Sequence, residues 1–199
     1  MNIVLKLLQL GSLFVYLQLP LFAHAQQHPA DSWEIGIDLG YLTKIRHNSP
    51  LDYVIVPTQL LWRTPAAFDL WRGEGGARLA VRQRLAIVAE TYLKGAEDYY
   101  FGFSGSPSIE LWTADQKTAL FYEIGGGAGL INAKKIAGAQ GQNFTLNWFT
   151  QVGVRHQLSK KMAITGGAYF THHSNLGMTK PNPGIDVLGL NFGIVWQLE

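Results

Sequence analysis

The sequence has 199 residues, of which 47% are hydrophobic, 12% aromatic and only 15% charged, and it holds 22 glycines and no cysteine. Charged residues fall well below the roughly 25% of an ordinary soluble domain while glycine exceeds its usual ~7%, which excludes a disordered chain and points to a glycine-rich β protein or a membrane protein. With 16 Lys and Arg against 14 Asp and Glu and no basic run, there is no electrostatic footprint for nucleic acid, and the lack of cysteine removes disulfides, thiolate metal sites and cysteine catalysis.

Residues 1–25 carry Lys6, an apolar run from Leu7 to Phe22, and then Ala23-His24-Ala25, the small-x-small pattern that signal peptidase cuts. Gln9, Gln18 and Pro20 interrupt the run, so it reads as an export signal rather than an anchor, leaving 26–199 as a single domain. After it no uncharged stretch of about 18 apolar residues occurs, so any membrane crossing has to use β-strands.

Period-two alternation marks those strands. Trp33, Ile35, Ile37, Leu39 and Tyr41 oppose Glu34, Gly36, Asp38 and Gly40. A weaker strand runs from Tyr53 to Trp62. Leu79, Val81, Leu85, Ile87 and Ala89 oppose Arg78, Arg82, Arg84 and Glu90, although Leu85 to Ala89 alone would also suit a helix. From Tyr99 to Trp112 the aromatic and aliphatic residues oppose Gly102, Ser104, Ser106, Ser108 and Glu110, with Pro107 suggesting a bulge. Leu120 to Leu130, Phe144 to Arg155, Met162 to Phe170 and Leu188 to Trp196 continue the pattern and bring the count to eight.

Eight strands of about 9 to 11 residues are what the smallest outer-membrane barrels use, so the expected fold is a closed, all-β, eight-stranded antiparallel transmembrane barrel. Its interior would hold Glu34, Asp38, Glu90, Glu110 and Glu123 beside Arg78, Arg82, Arg84 and Arg155, as a structural plug rather than a pore. Parity alone does not separate this from a soluble exported barrel with the faces inverted. The aromatic content of the apolar faces, with Trp33, Tyr41, Trp148 and Trp196 near strand ends, favours the membrane. The segment from Arg63 to Gly76 is long for a periplasmic turn, and the final residues Trp196-Gln197-Leu198-Glu199 lack the terminal aromatic common in such barrels.

With both termini periplasmic, the last hairpin loop, Asn175 to Ile185, faces the cell exterior. Strand parity carries Met162, Ile164, Ala168 and Phe170 on to His172 and Ser174, and Leu188, Leu190, Phe192 and Ile194 back to Asp186. A serine, a histidine and a carboxylate thus share the lipid-facing surface at one height, the three residue types of a nucleophilic triad. Polar residues ending a strand at headgroup level would look the same, so these residues alone leave both readings open. Metal and nucleotide sites are not expected: His172 and His173 point to opposite faces, His156 lies at the far end of its strand, and Gly125-Gly126-Gly127 is not followed by Lys-Ser/Thr.

The run His172-His173-Ser174-Asn175-Leu176-Gly177, followed by Lys180-Pro181-Asn182-Pro183-Gly184-Ile185-Asp186, resembles the lipid A 3-O-deacylase family of outer-membrane barrels. The resemblance extends from about Phe121 to Trp196, with general barrel character before it. It implies hydrolysis of a fatty acyl ester of lipopolysaccharide, without cofactor, by Ser174 as nucleophile, His172 as general base and Asp186 as the residue orienting the imidazole. It further implies an oxyanion hole from the Asn175 side chain and the Gly177 backbone N–H. The family typically has glutamate at the position of Asp186. An outer-membrane phospholipase would share the chemistry, a structural or adhesive barrel would leave it inert, and homodimerisation is left open.

Overall fold

The computed structural model describes residues 28–45 and 50–198; the expected export signal at 1–25 lies outside them. Nine strands follow in order: β1 (Trp33–Lys44), β2 (Val54–Arg63), β3 (Phe68–Arg72), β4 (Arg78–Lys94), β5 (Tyr99–Trp112), β6 (Thr118–Ile131), β7 (Phe144–Gln157), β8 (Met162–Ser174) and β9 (Ile185–Leu198). They form one antiparallel sheet in the order β2-β1-β9-β8-β7-β6-β5-β4-β3, and β2 also pairs with β4, which closes the wall. β2 and β3 share one flank of β4, opposite its far and near halves respectively. The barrel is therefore eight-stranded, with β3 a short addition at the end where β1 starts and β9 finishes.

All eight expected strands are present, and Leu85–Ala89 is strand rather than helix. The segment between Arg63 and Gly76, long for a periplasmic turn, contains β3. One expectation is corrected. Pro107 makes no bulge: it sits opposite Gln83 in an unshifted β4–β5 register, and the β5–β6 ladder merely skips Ser106 and Pro107. Proline has no N–H to give, so a gap in the ladder is the physical outcome.

Side-chain direction settles the inversion that parity left open. Leu39 (57% exposed), Phe103 (64%) and Phe192 (64%) stand on the outer wall, whereas every charged residue expected inside is at most 5% exposed. A wall this apolar outside and polar inside suits lipid, not water. Strands also approach closely: a Cβ on Gly127 would lie 1.8 Å from the Phe103 carbonyl oxygen, so the Gly125–Gly127 run is a packing feature, as its sequence context suggested.

Inside, charges pair across the barrel. Glu34 takes both guanidinium nitrogens of Arg155 at 2.6 and 2.5 Å and lies 3.1 Å from Arg82. Glu123 lies 3.3 Å from Arg63 and 3.1 Å from Arg84; Arg63, at the end of β2, is a member of the cluster that alternation did not single out. Among the described residues Asp38 forms no ion pair and instead accepts from Asn191 Nδ2 at 3.2 Å and Thr165 Oγ1 at 3.4 Å. Glu110 accepts from Trp112 Nε1 at 2.9 Å. Each of these carboxylates thus has a donor, on another strand for Glu34, Glu123 and Asp38 and on its own strand for Glu110, which also lies 3.6 Å from Arg82 of β4; such pairing is the condition for burying them.

Residues 28–32 close the terminal end. A single 3-10 turn, Pro29–Asp31, is capped by His28, whose Nδ1 accepts from the Ala30 N–H at 3.0 Å. Fully buried Ala30 packs with Ala80, Trp112 and Ala119. His28 packs edge-on against Trp112 at 5.2 Å, and its Nε2 is buried without a partner among the described residues. Burial, with the Arg78 guanidinium adding to it, lowers the His28 pKa from 6.5 to about 4. The unfolded chain therefore takes up a proton near 6.5 that the folded chain resists until about 4, so His28 costs no stability above that window and costs progressively more as pH falls through it. The urea unfolding midpoint should fall more steeply between pH 7 and 4 in the wild type than in His28→Asn; parallel curves would contradict this.

Candidate active site

Antiparallel pairing of β8 and β9 places His172 directly opposite Asp186. Both side chains take the outer face, as the parity of their strands requires. His172 Nδ1 lies 2.8 Å from Asp186 Oδ1, with the imidazole 22% exposed and the carboxylate 2% exposed. Directly opposed residues in an antiparallel pair have Cβ atoms about 4.5–5.5 Å apart. One methylene is then enough for the carboxylate to reach, and no strand shift is needed for aspartate to serve where glutamate is usual.

Ser174 follows two residues along β8 on the same outer face, about 6.6–6.8 Å further in rise. Because Asp186 occupies Nδ1, Nε2 is the imidazole nitrogen left toward a neighbour. Among the described residues Ser174 Oγ makes no hydrogen bond to it, a spacing common in unliganded sites that tighten around substrate. On the opposite face of the same strand, His173 points inward, is fully buried, and contacts Glu90 at 3.0 Å and the Tyr100 ring at 4.6 Å. The two histidines cannot act on one centre.

The loop after Ser174 is held by its own side chains. Asn175, fully buried, accepts the Gly177 N–H on Oδ1 at 2.9 Å, donates from Nδ2 to Thr179 O at 2.8 Å, and donates its own N–H to Asn182 Oδ1 at 2.9 Å. Leu176 and Gly177 both take positive φ, 52° and 77°, the left-handed backbone that a tight Asx turn demands. Both donors assigned by resemblance to an oxyanion hole thus have loop partners. Asn175 keeps its second Nδ2 hydrogen; the single N–H of Gly177 would need the turn to open.

Two supports were not visible in the sequence. Trp148 on β7 sits opposite His172, its ring 6.1 Å from the imidazole and 4.8 Å from Phe170. The loop between β6 and β7 braces the site loop from the side, through a hydrogen bond between the side chains of Thr179 and Gln142 and through Gly141, where a Cβ would meet the Lys180 carbonyl at 2.6 Å. That loop is itself fixed by buried Glu97, which accepts the Gln140 N–H at 2.7 Å and the Tyr53 hydroxyl at 2.9 Å. These contacts depend on strand register and loop packing, which alternation does not encode. His156 is exposed at the far end of β7, bonded to Thr118 at 2.9 Å.

A model of the lipid A 3-O-deacylase (PagL) family matches residues 58–195. The chain belongs to this family. The match starts in β2, well before the Phe121 at which the sequence resemblance was expected to begin, and so covers most of the barrel as well as the site. The fold is similar to that of the outer membrane enzyme PagL, with a TM-score of 0.52 at 17% identity over 80% of this chain and 97% of the other. It is equally similar to Neisserial surface protein A, with a TM-score of 0.53 at 9% identity over 83% of this chain and 97% of that one. No curated protein matches the chain. At these identities the structures speak for the barrel alone, and family membership comes from the sequence match.

Proposed function

We propose that this barrel hydrolyses a fatty acyl ester of lipid A, the 3-O-linked one that the family name specifies, from the outer leaflet of the outer membrane. The observation that carries the reading is the 2.8 Å pair of His172 and Asp186 on the lipid-facing wall, two residues from a serine. A buried carboxylate on that wall has no structural need that an apolar residue would not meet better. Outer-membrane placement requires export, which residues 1–25 would supply.

In this reading Ser174 Oγ attacks the ester carbonyl carbon while His172 Nε2 takes its proton, and Asp186 holds the ring with Nδ1–H toward itself and stabilises the imidazolium. The remaining Nδ2 hydrogen of Asn175, with Gly177 N–H if its turn opens, would bind the oxygen that gains charge. Collapse passes the proton from His172 to the departing glucosamine oxygen and leaves an acyl-serine. Water, activated by the same imidazole, then releases the fatty acid and restores Ser174. Exposed Leu176 (74%) and Met178 (55%) beside the site suit a substrate that stays in the membrane, since they can sit among acyl chains as the ester is presented.

The test is incubation of the purified barrel in mixed micelles with lipid A or with phosphatidylethanolamine, followed by mass spectrometry. Loss of one hydroxy fatty acid from lipid A alone supports the proposal. Fatty acid released from the phospholipid instead would mean a phospholipase, and no change in either would mean an inert barrel. Because Asp186 faces His172 directly, Asp186→Glu should retain activity within about tenfold, the extra methylene being absorbed by a rotamer change; a loss as complete as in Asp186→Ala would contradict this geometry.

A further inference from the structure

The β3 hairpin carries apolar residues that neither the barrel core nor the active site uses. Phe68 (53% exposed), Leu70 (57%) and Trp71 (51%) project from a five-residue strand at the terminal end. Their placement follows the ladder. Trp71 pairs with Leu79, which pairs with Leu111, then Leu120, then Val154. Phe68 heads the neighbouring row through Val81, Ile109, Tyr122 and Val152. Both rows lie on the lipid-facing wall, so the hairpin continues that face beyond the point where β2 ends.

Depth follows from the backbone. β3 pairs only with β4 among the described residues, and a register shift between Asp69 and Trp71 bulges Leu70 outward. An open strand edge is not tolerated in hydrocarbon, where its N–H and C=O groups would have no partner, but it is tolerated where water and headgroups reach it. Aromatic rings with a wet backbone are the composition of the membrane interface. The ionic groups agree: Asp69 is clamped by Arg72 and Arg78 on the side away from the rings, and the tip Gly73–Gly76 carries exposed Glu74.

We propose that the β3 hairpin is an interfacial anchor, seating Phe68, Leu70 and Trp71 among the headgroups and upper acyl carbons of the phospholipid leaflet opposite the active site. It goes beyond the deacylase reading and stands or falls independently of it. Such an anchor fixes the barrel's height and tilt against the inner leaflet while the rim on the other side meets lipid A.

The sequence has no cysteine, so a single introduced thiol can report position. Leu70→Cys and, as a second site, Phe68→Cys would each be labelled with an environment-sensitive fluorophore and placed at one barrel per phosphatidylcholine nanodisc, with Lys160→Cys in the β7–β8 turn as the aqueous reference. The anchor predicts blue-shifted emission at 70 and 68, loss of most iodide quenching relative to 160, and stronger quenching by nitroxide at a shallow acyl position than at a deep one. Emission and iodide quenching equal to those at 160 would overturn it, as would strongest quenching by the deep nitroxide. Shielding that vanishes at one barrel per disc and returns at higher loading would assign the patch to a second copy and also overturn it. Retained heat-modifiable migration on a gel shows that each labelled barrel is folded.

Discussion

Replacing Ser174 with alanine is expected to lower lipid A deacylation by about 10⁴-fold or more, because without the hydroxyl no acyl-enzyme forms and water must attack unaided. The change should leave the barrel intact. Ser174 is the last residue of β8, and its backbone carbonyl, which accepts from Thr145 Oγ1 at 2.9 Å, is unaffected by loss of the side chain. The effects of His172→Ala and Ser174→Ala should not add, since the two groups act in one step; the double variant should be about as inactive as either single one. An alkylphosphonate reagent should label the wild type once and Ser174→Ala not at all, as read by intact mass. Substantial deacylation by Ser174→Ala, measured at equal amounts of folded protein, would remove the serine from the mechanism and leave His172 and Asp186 to act on water directly.

The outcome turns on a constellation that was largely legible in the sequence, and the reason is parity. Each wall residue sees either lipid or the interior, so alternation writes the strand directly into the chain, and extending the β8 and β9 patterns put His172, Ser174 and Asp186 on one face. Parity does not fix register, however. That Asp186 faces His172 squarely, and that Trp148 lies on the other side of it, follows only once the strands are paired. The loop was opaque for a related reason: the Asn175 bonds to Gly177 and Thr179 close a turn beyond the end of β8, which its position next to Ser174 does not reveal. β3 was missed because the shift between Asp69 and Trp71 breaks its alternation, leaving Phe68, Leu70 and Trp71 on no single parity. Arg63 was missed because it ends a strand whose pattern was weak, although its charge beside Trp62 was a usable signal.

The second large effect belongs to stability and to the other end of the barrel. Glu34 on β1 ties β7 through Arg155 and β4 through Arg82, with all three side chains at most 2% exposed. Glu34→Ala leaves two guanidinium groups buried in a low-dielectric interior without their carboxylate, and such a break costs about 3–5 kcal/mol, mostly as the penalty of the charges left behind. The urea midpoint of the refolded barrel should fall accordingly. Raising the salt concentration should recover little of the loss, because ions do not reach a sealed interior to screen it. Replacing all three members with apolar residues of similar volume should cost much less than the single change, since the pair's own contribution is small beside the cost of breaking it. Deacylation by the fraction still folded should be unchanged: Glu34 pairs in register with Arg63 and Gln197 at the terminal end, whereas His172 and Asp186 lie at the opposite end of β8 and β9. A loss of activity larger than the loss of folded barrel would instead mean that the interior charge network and the outer-wall site are coupled through the sheet.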